Sequence, residues 1–149
     1  MGNLYSYFPA ADDTAALALF AAGLQDGTDD AFGTLGLKGA DPYSLLGEVE
    51  AHLTGRPAED VEDAPRFGNL LSDPRDEGRW LITLTDELRD ALARANPAHL
   101  TATAAAVLAA DDGPPAWDAE LLADLLTRLA ALAGHAAEQG QGLYCLISL

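Results

Sequence analysis

The sequence predicts an α+β fold: a small sheet of about three strands packed with four to five helices. Three observations predict it. Two stretches have strand composition, the aromatic run Asn3 to Phe8 and Arg79-Trp80-Leu81-Ile82-Thr83-Leu84. The final run, Leu143 to Leu149, is apolar on both alternating faces apart from Ser148, which is the pattern of a central strand covered on both sides. Between these lie apolar stripes at helical spacing, opened by helix-start signals.

Taken in order, the first strand ends at Pro9, and Asp12 or Asp13 caps a helix running to about Leu24. Leu17, Leu19, Phe20 and Leu24 supply its expected buried stripe. Gly23, Gly27, Gly33, Gly36 and Gly39 then break the pattern, so residues from about 25 to 40 are expected to be loop. Asp41-Pro42 is a helix start, an acid at the cap and proline at the first helical position. That helix carries Leu45, Leu46, Val49 and Leu53 on one stripe and ends at Gly55 and Pro57.

Residues 56–79 form a long charged segment, which Phe67, Leu70 and Leu71 are expected to pin through a short helical turn. A connection of this length is either functional or poorly ordered. Thr85 caps the helix after the second strand, with Leu88 and Leu92 on one face. Asn96-Pro97 opens the next helix, and Asp111 to Pro115 is a turn. The longest helix spans Trp117 to about Gln139, with Leu121, Leu122, Leu125, Leu126, Leu129 and Leu132 as its stripe. Gly140-Gln141-Gly142 ends it and leads into the last strand.

At 149 residues the chain is expected to be one domain, 1–149, with the long charged loop at 56–79. Composition sets the function classes. Twenty-four acids face eight bases, a net charge of −16, and Lys38 is the one lysine. Nucleic acid and anionic membrane surfaces repel such a chain, and basic partners attract it. Cys145 stands alone, so no internal disulfide and no cysteine-based metal cluster can form. No charged, apolar leader is visible and no apolar run could span a bilayer, so the expected localisation is cytoplasmic. Met1-Gly2-Asn3-Leu4-Tyr5-Ser6 matches the loose myristoylation pattern, and reads equally as the start of a strand. Repulsion at −16 favours a monomer.

Four stretches together resemble the YfbM-like family of uncharacterised bacterial proteins. They are Tyr5-Ser6-Tyr7-Phe8 leading into an acid-capped helix, and the helix end Val49-Glu50-Ala51-His52-Leu53-Thr54-Gly55. The third is Arg79-Trp80-Leu81 followed by Leu84-Thr85-Asp86-Glu87-Leu88, and the fourth is Ala136-Ala137-Glu138-Gln139-Gly140 running into the apolar end. The family helix tends to carry tryptophan and histidine before its Leu-Thr-Gly, where this chain has Leu46 and Glu50. The resemblance implies an α+β fold and no activity.

Few residues suggest chemistry. Glu48 and His52 are four apart on one helix, the spacing of a surface ion pair or of a base with its orienting carboxylate. His99 stands in the first turn of a helix and His135 near the end of another, without metal-ligand spacing. Cys145, in the expected central strand, reads as a buried, inert thiol. The segment 56–79 holds Arg56, Arg66, Arg75 and Arg79 beside seven acids, a net −3, so its arginines are expected to pair locally. Arg79 beside Trp80 is the best ligand contact, since guanidinium stacks on an aromatic and clamps a carboxylate or phosphate. The glycines at 33, 36 and 39 match no phosphate loop, and no cofactor or metal is indicated.

Two functions follow as expectations. The first is a non-catalytic, immunity- or inhibitor-like protein that binds a basic partner through Glu59, Asp60, Glu62, Asp63, Asp111 and Asp112. The second is a small-anion binder or unusual enzyme, with a cleft near Arg79, Trp80, Glu48 and His52.

Overall fold

The computed structural model describes residues 4–22, 35–38, 43, 45–110 and 118–148. It is an α+β fold with, among the described residues, four strands, β1 Leu4–Ala10, β2 Leu35–Lys38, β3 Arg79–Thr83 and β4 Gly142–Ser148. Among the same described residues six helices accompany them: α1 Asp13–Ala21, α2 Leu45–Thr54, α3 Ala58–Glu62, α4 Asp86–Arg94, α5 Pro97–Ala110 and α6 Ala119–Glu138. The sheet is antiparallel in the order β2-β1-β4-β3. The doubly apolar β4 lies between β1 and β3, with Tyr7 opposite Cys145 and Ile82 opposite Cys145 on its other side.

Strand alternation divides the core into two layers. Tyr7, Ile82, Leu143, Cys145 and Ile147 face α2, α4, α5 and α6 in the larger core. Phe8, Leu81, Tyr144 and Leu146 face α1 in the smaller one. Leu122, Leu125, Leu126, Leu129 and Leu132 bury the stripe of α6 as expected, but Leu121 is exposed. The first helix departs further: Leu17 and Leu19 point to solvent, and Ala16 is the residue buried against the sheet. After Asp13 and Thr14 in its first turn, helix α1 is apolar all round, so its periodicity selects no face, and a small side chain permits the closest approach to the sheet. The expected Leu24 lies outside the described residues.

Two segments expected to be loop have regular structure. Residues 35–38 form β2, a fourth strand, pairing Tyr5 with Leu37 and Tyr7 with Leu35. Four residues containing a glycine carry no strand signal of their own, and the edge of β1 supplies the pairing. Within 56–79, Ala58–Glu62 forms the extra short helix α3. Phe67 does close a turn, its N–H donating to the Ala64 carbonyl at 3.0 Å, but Leu70 and Leu71 lie beyond it in a strap along the outer edge of β3, with Leu70 bridged to Ile82. The Gly68 N–H donates to the Thr83 carbonyl, the Thr83 N–H to the Asn69 carbonyl and the Leu71 N–H to the Leu81 carbonyl, at 3.2, 2.9 and 2.8 Å. The buried Ser72 hydroxyl accepts from the Leu81 N–H at 3.0 Å. The exposed edge of β3 needs these partners, and they outweigh the weak helical signal of the strap.

The expected caps hold where they are described. Asp12 accepts from the Ala15 N–H at 2.8 Å, Thr85 from Leu88 at 3.0 Å and Asn96 from His99 at 2.8 Å. The Asp41-Pro42 start, the turn at Asp111 to Pro115 and Trp117 lie outside the described residues. Among the described residues, no helix is long and apolar enough to cross a membrane.

Candidate functional site

An open cleft of about 470 Å³ lies where the N-termini of α1 and α4 meet the start of β4. Asp12, Asp13, Thr14, Arg66, Asp86, Arg89 and Tyr144 line it, with the backbone of Gly140 and Gly142 as one wall. Its main device joins three distant parts of the chain. Asp13, in the first turn of α1, accepts from the Tyr144 hydroxyl of β4 at 2.8 Å. It also takes both terminal nitrogens of Arg66, at 2.8 and 3.3 Å. The guanidinium carbon lies 5.9 Å from the centroid of the Tyr144 ring.

This arrangement sets the protonation states. The Arg66 hydrogen bonds, and then the Tyr144 bond, hold the Asp13 carboxyl below the usual carboxylate range. Burial, reinforced by the Asp13 charge, pushes the Tyr144 hydroxyl up to about 12. Arg66 is held further in its charged form by Asp13. On the other side of the cleft Arg89 donates to Asp90 at 2.9 Å and to the Gln141 carbonyl at 2.9 Å, and it pairs with Asp86 at 3.4 Å. Both guanidinium groups are thus engaged. Three carboxylates, Asp12, Asp13 and Asp86, line the cleft against these two arginines. Its field favours a cationic group over an anion.

The sequence-predicted residues lie elsewhere. Arg79 and Trp80 are neighbours on β3 and point to opposite faces. The Arg79 guanidinium lies 4.9 Å from the Phe20 ring centroid, beside the smaller core, whereas Trp80 packs on the larger one. Glu48 and His52 are exposed on α2, and no hydrogen bond or ion pair joins them among the described residues. The His52 ring lies 6.4 Å from that of His99 on α5. The structure therefore does not gather Arg79, Trp80, Glu48 and His52 around one cleft. Glu59, Asp60, Glu62 and Asp63 are brought together, all exposed on α3 and its C-terminal cap. Val61, fully buried, anchors that helix, and the Arg56 side chain donates to the Asp60 carbonyl at 3.4 Å. Asp111 and Asp112 lie outside the described residues.

Of the four loop arginines, Arg75 pairs locally, with Asp73 at 3.0 Å, whereas Arg66 reaches back to Asp13. Cys145 is buried. Among the described residues, no group of three His, Cys, Asp or Glu side chains could hold a metal ion.

Sequence reasoning missed two features. The Asp13–Arg66–Tyr144 network has no local signature, because its members are 53 and 131 residues apart. Glu50 did leave a signal, since it lies on the same stripe of α2 as Leu46, Val49 and Leu53. It is 1 % exposed, and its Oε1 accepts from the Thr85 hydroxyl at 2.5 Å. Comparison of the chain with protein-family models, with curated proteins and with solved structures finds no match.

Proposed function

We propose that this chain is a binding module for a basic protein, immunity- or inhibitor-like in its action, with α3 as its docking face. One observation carries the reading: Glu59, Asp60, Glu62 and Asp63 project to solvent from one short helix that Val61 ties to the body. On a chain of net charge −16 this face adds a local field to a global one. Opposite charge on the partner raises the association rate, and a fixed helix holds the carboxylates in register with basic side chains. The cleft rim acids Asp12 and Asp86 offer a seat for a further cationic side chain. The same charge disfavours nucleic acid and anionic lipid as partners. The YfbM-like resemblance implies a fold and no activity, so it does not alter the reading.

The test is affinity capture from native extract at low and at high salt, with wild type beside a variant carrying Glu59→Gln, Asp60→Asn, Glu62→Gln and Asp63→Asn. One basic protein retained at low salt by wild type, weakened by salt and by the variant, is the expected result. Equal capture by both forms would remove α3 from the reading. An empty column at both salts would count against the binding role itself.

A further inference from the structure

Among the described residues Glu50 is the one buried carboxylate. It stands on α2 with only one of its oxygens partnered. Oε1 takes the Thr85 hydroxyl, and Oε2 is buried with no hydrogen-bond partner. Thr85 is also the N-cap of α4, where its oxygen accepts the Leu88 N–H at 3.0 Å. The carboxyl of α2 is therefore coupled through one hydroxyl to the first turn of α4.

An ionised carboxylate wants several donors, and here it has one. The charged groups around it do not make up the difference. Glu87 of α4 repels its charge, and Arg56, just after α2, is the cation that favours it. The carboxylates of α3 point to solvent, and α5 brings His99 to the exposed His52 rather than to Glu50. A neutral carboxyl loses far less on burial than a charged one. Burial accordingly raises the proton affinity of Glu50 above that of an ordinary glutamate.

We propose that Glu50 is a proton-operated latch between α2 and the first turn of α4, closed when its carboxyl is neutral and loosened when it ionises. The ligand of this site is the proton, and its output is the order of the Thr85 cap. The latch is independent of the basic partner proposed above. The direction follows from linkage: between the unfolded and folded proton affinities the closed state binds more protons, so it weakens as pH rises.

The test is amide exchange at Leu88, corrected for intrinsic rates, from about pH 4 to about pH 8 in wild type and in Glu50→Gln. The opening constant in wild type is expected to rise about tenfold per pH unit across the interval between the two affinities, and to stay flat in Glu50→Gln. Parallel profiles in the two proteins would overturn the proposal. Should Glu50→Gln fail to fold, the titration of the Glu50 carboxyl carbon in wild type decides. A midpoint above the ordinary glutamate range supports the latch, and one within that range overturns it.

Discussion

Replacing Asp13 by alanine probes the joint between α1, the 56–79 segment and β4. The change strips the Tyr144 hydroxyl of its acceptor and Arg66 of its bidentate partner. A hydrogen bond to a charged group contributes about 1.5–3 kcal/mol, and Tyr144, 1 % exposed, leaves its donor little alternative. The Asp13 and Arg66 side chains are 43 % and 37 % exposed, so solvent screening holds that pair to about 0–1 kcal/mol. The expected loss is about 2–3 kcal/mol, or about 5–10 °C in Tm for a chain of this size. Urea unfolding at neutral pH measures it. A double-mutant cycle with Tyr144→Phe isolates the hydroxyl, with an expected coupling of about 1 kcal/mol or more. Additivity within about 0.3 kcal/mol would refute the assignment of Tyr144 and Asp13 to one interaction. The pH dependence has a definite sign. The Asp13 carboxyl is lowered in the fold, so its contribution is full above 3.8 and is lost as pH falls through the folded value. Tyr144, raised from 10.0 to about 12, contributes fully below its unfolded value and loses that contribution as pH rises through the folded one.

Three further outcomes are expected. Gly68→Ala should cost about 2 kcal/mol in urea unfolding, because φ is +59° and a Cβ would stand 2.3 Å from the Tyr43 ring. Gly78→Ala, at φ +84° with open space around it, should cost only the backbone share of about 1 kcal/mol, and equal costs would show that the Tyr43 contact is unimportant. Cys145, fully buried, should react with a thiol reagent in the native protein on the order of a thousandfold more slowly than in denaturant. Rapid native labelling would contradict its place in the central strand.

The parts of the fold legible in the sequence are those whose signal is local and strong. Leu143 to Ser148 carries apolar side chains on both faces, and a strand of that kind has one stable place, between two others. Thr85 and Asn96 act through hydrogen bonds three residues away, so their spacing alone marks the helix starts. Strand β2 was not legible, because Leu35-Gly36-Leu37-Lys38 is a strand only while β1 supplies its partners. Helix α1 was legible as a helix, but its orientation was not, since Leu17, Leu19 and Ala16 are all apolar and the smallest is the one that fits the sheet. The separation of Arg79 from Trp80 follows from strand alternation, which places neighbours on opposite faces. Arg66 illustrates the limit of local charge pairing: nearby acids were available, and the half-buried Asp13–Tyr144 site held it instead.

The carboxylates of α3 are proposed to steer a basic partner onto this chain. The most direct test of that claim is the association rate constant for the captured partner, measured against ionic strength for wild type and for the variant neutralised at Glu59, Asp60, Glu62 and Asp63. Steered association should slow steeply with salt in wild type, and the variant should associate more slowly at low salt with a flatter dependence. Identical salt dependence in the two proteins would contradict the claim.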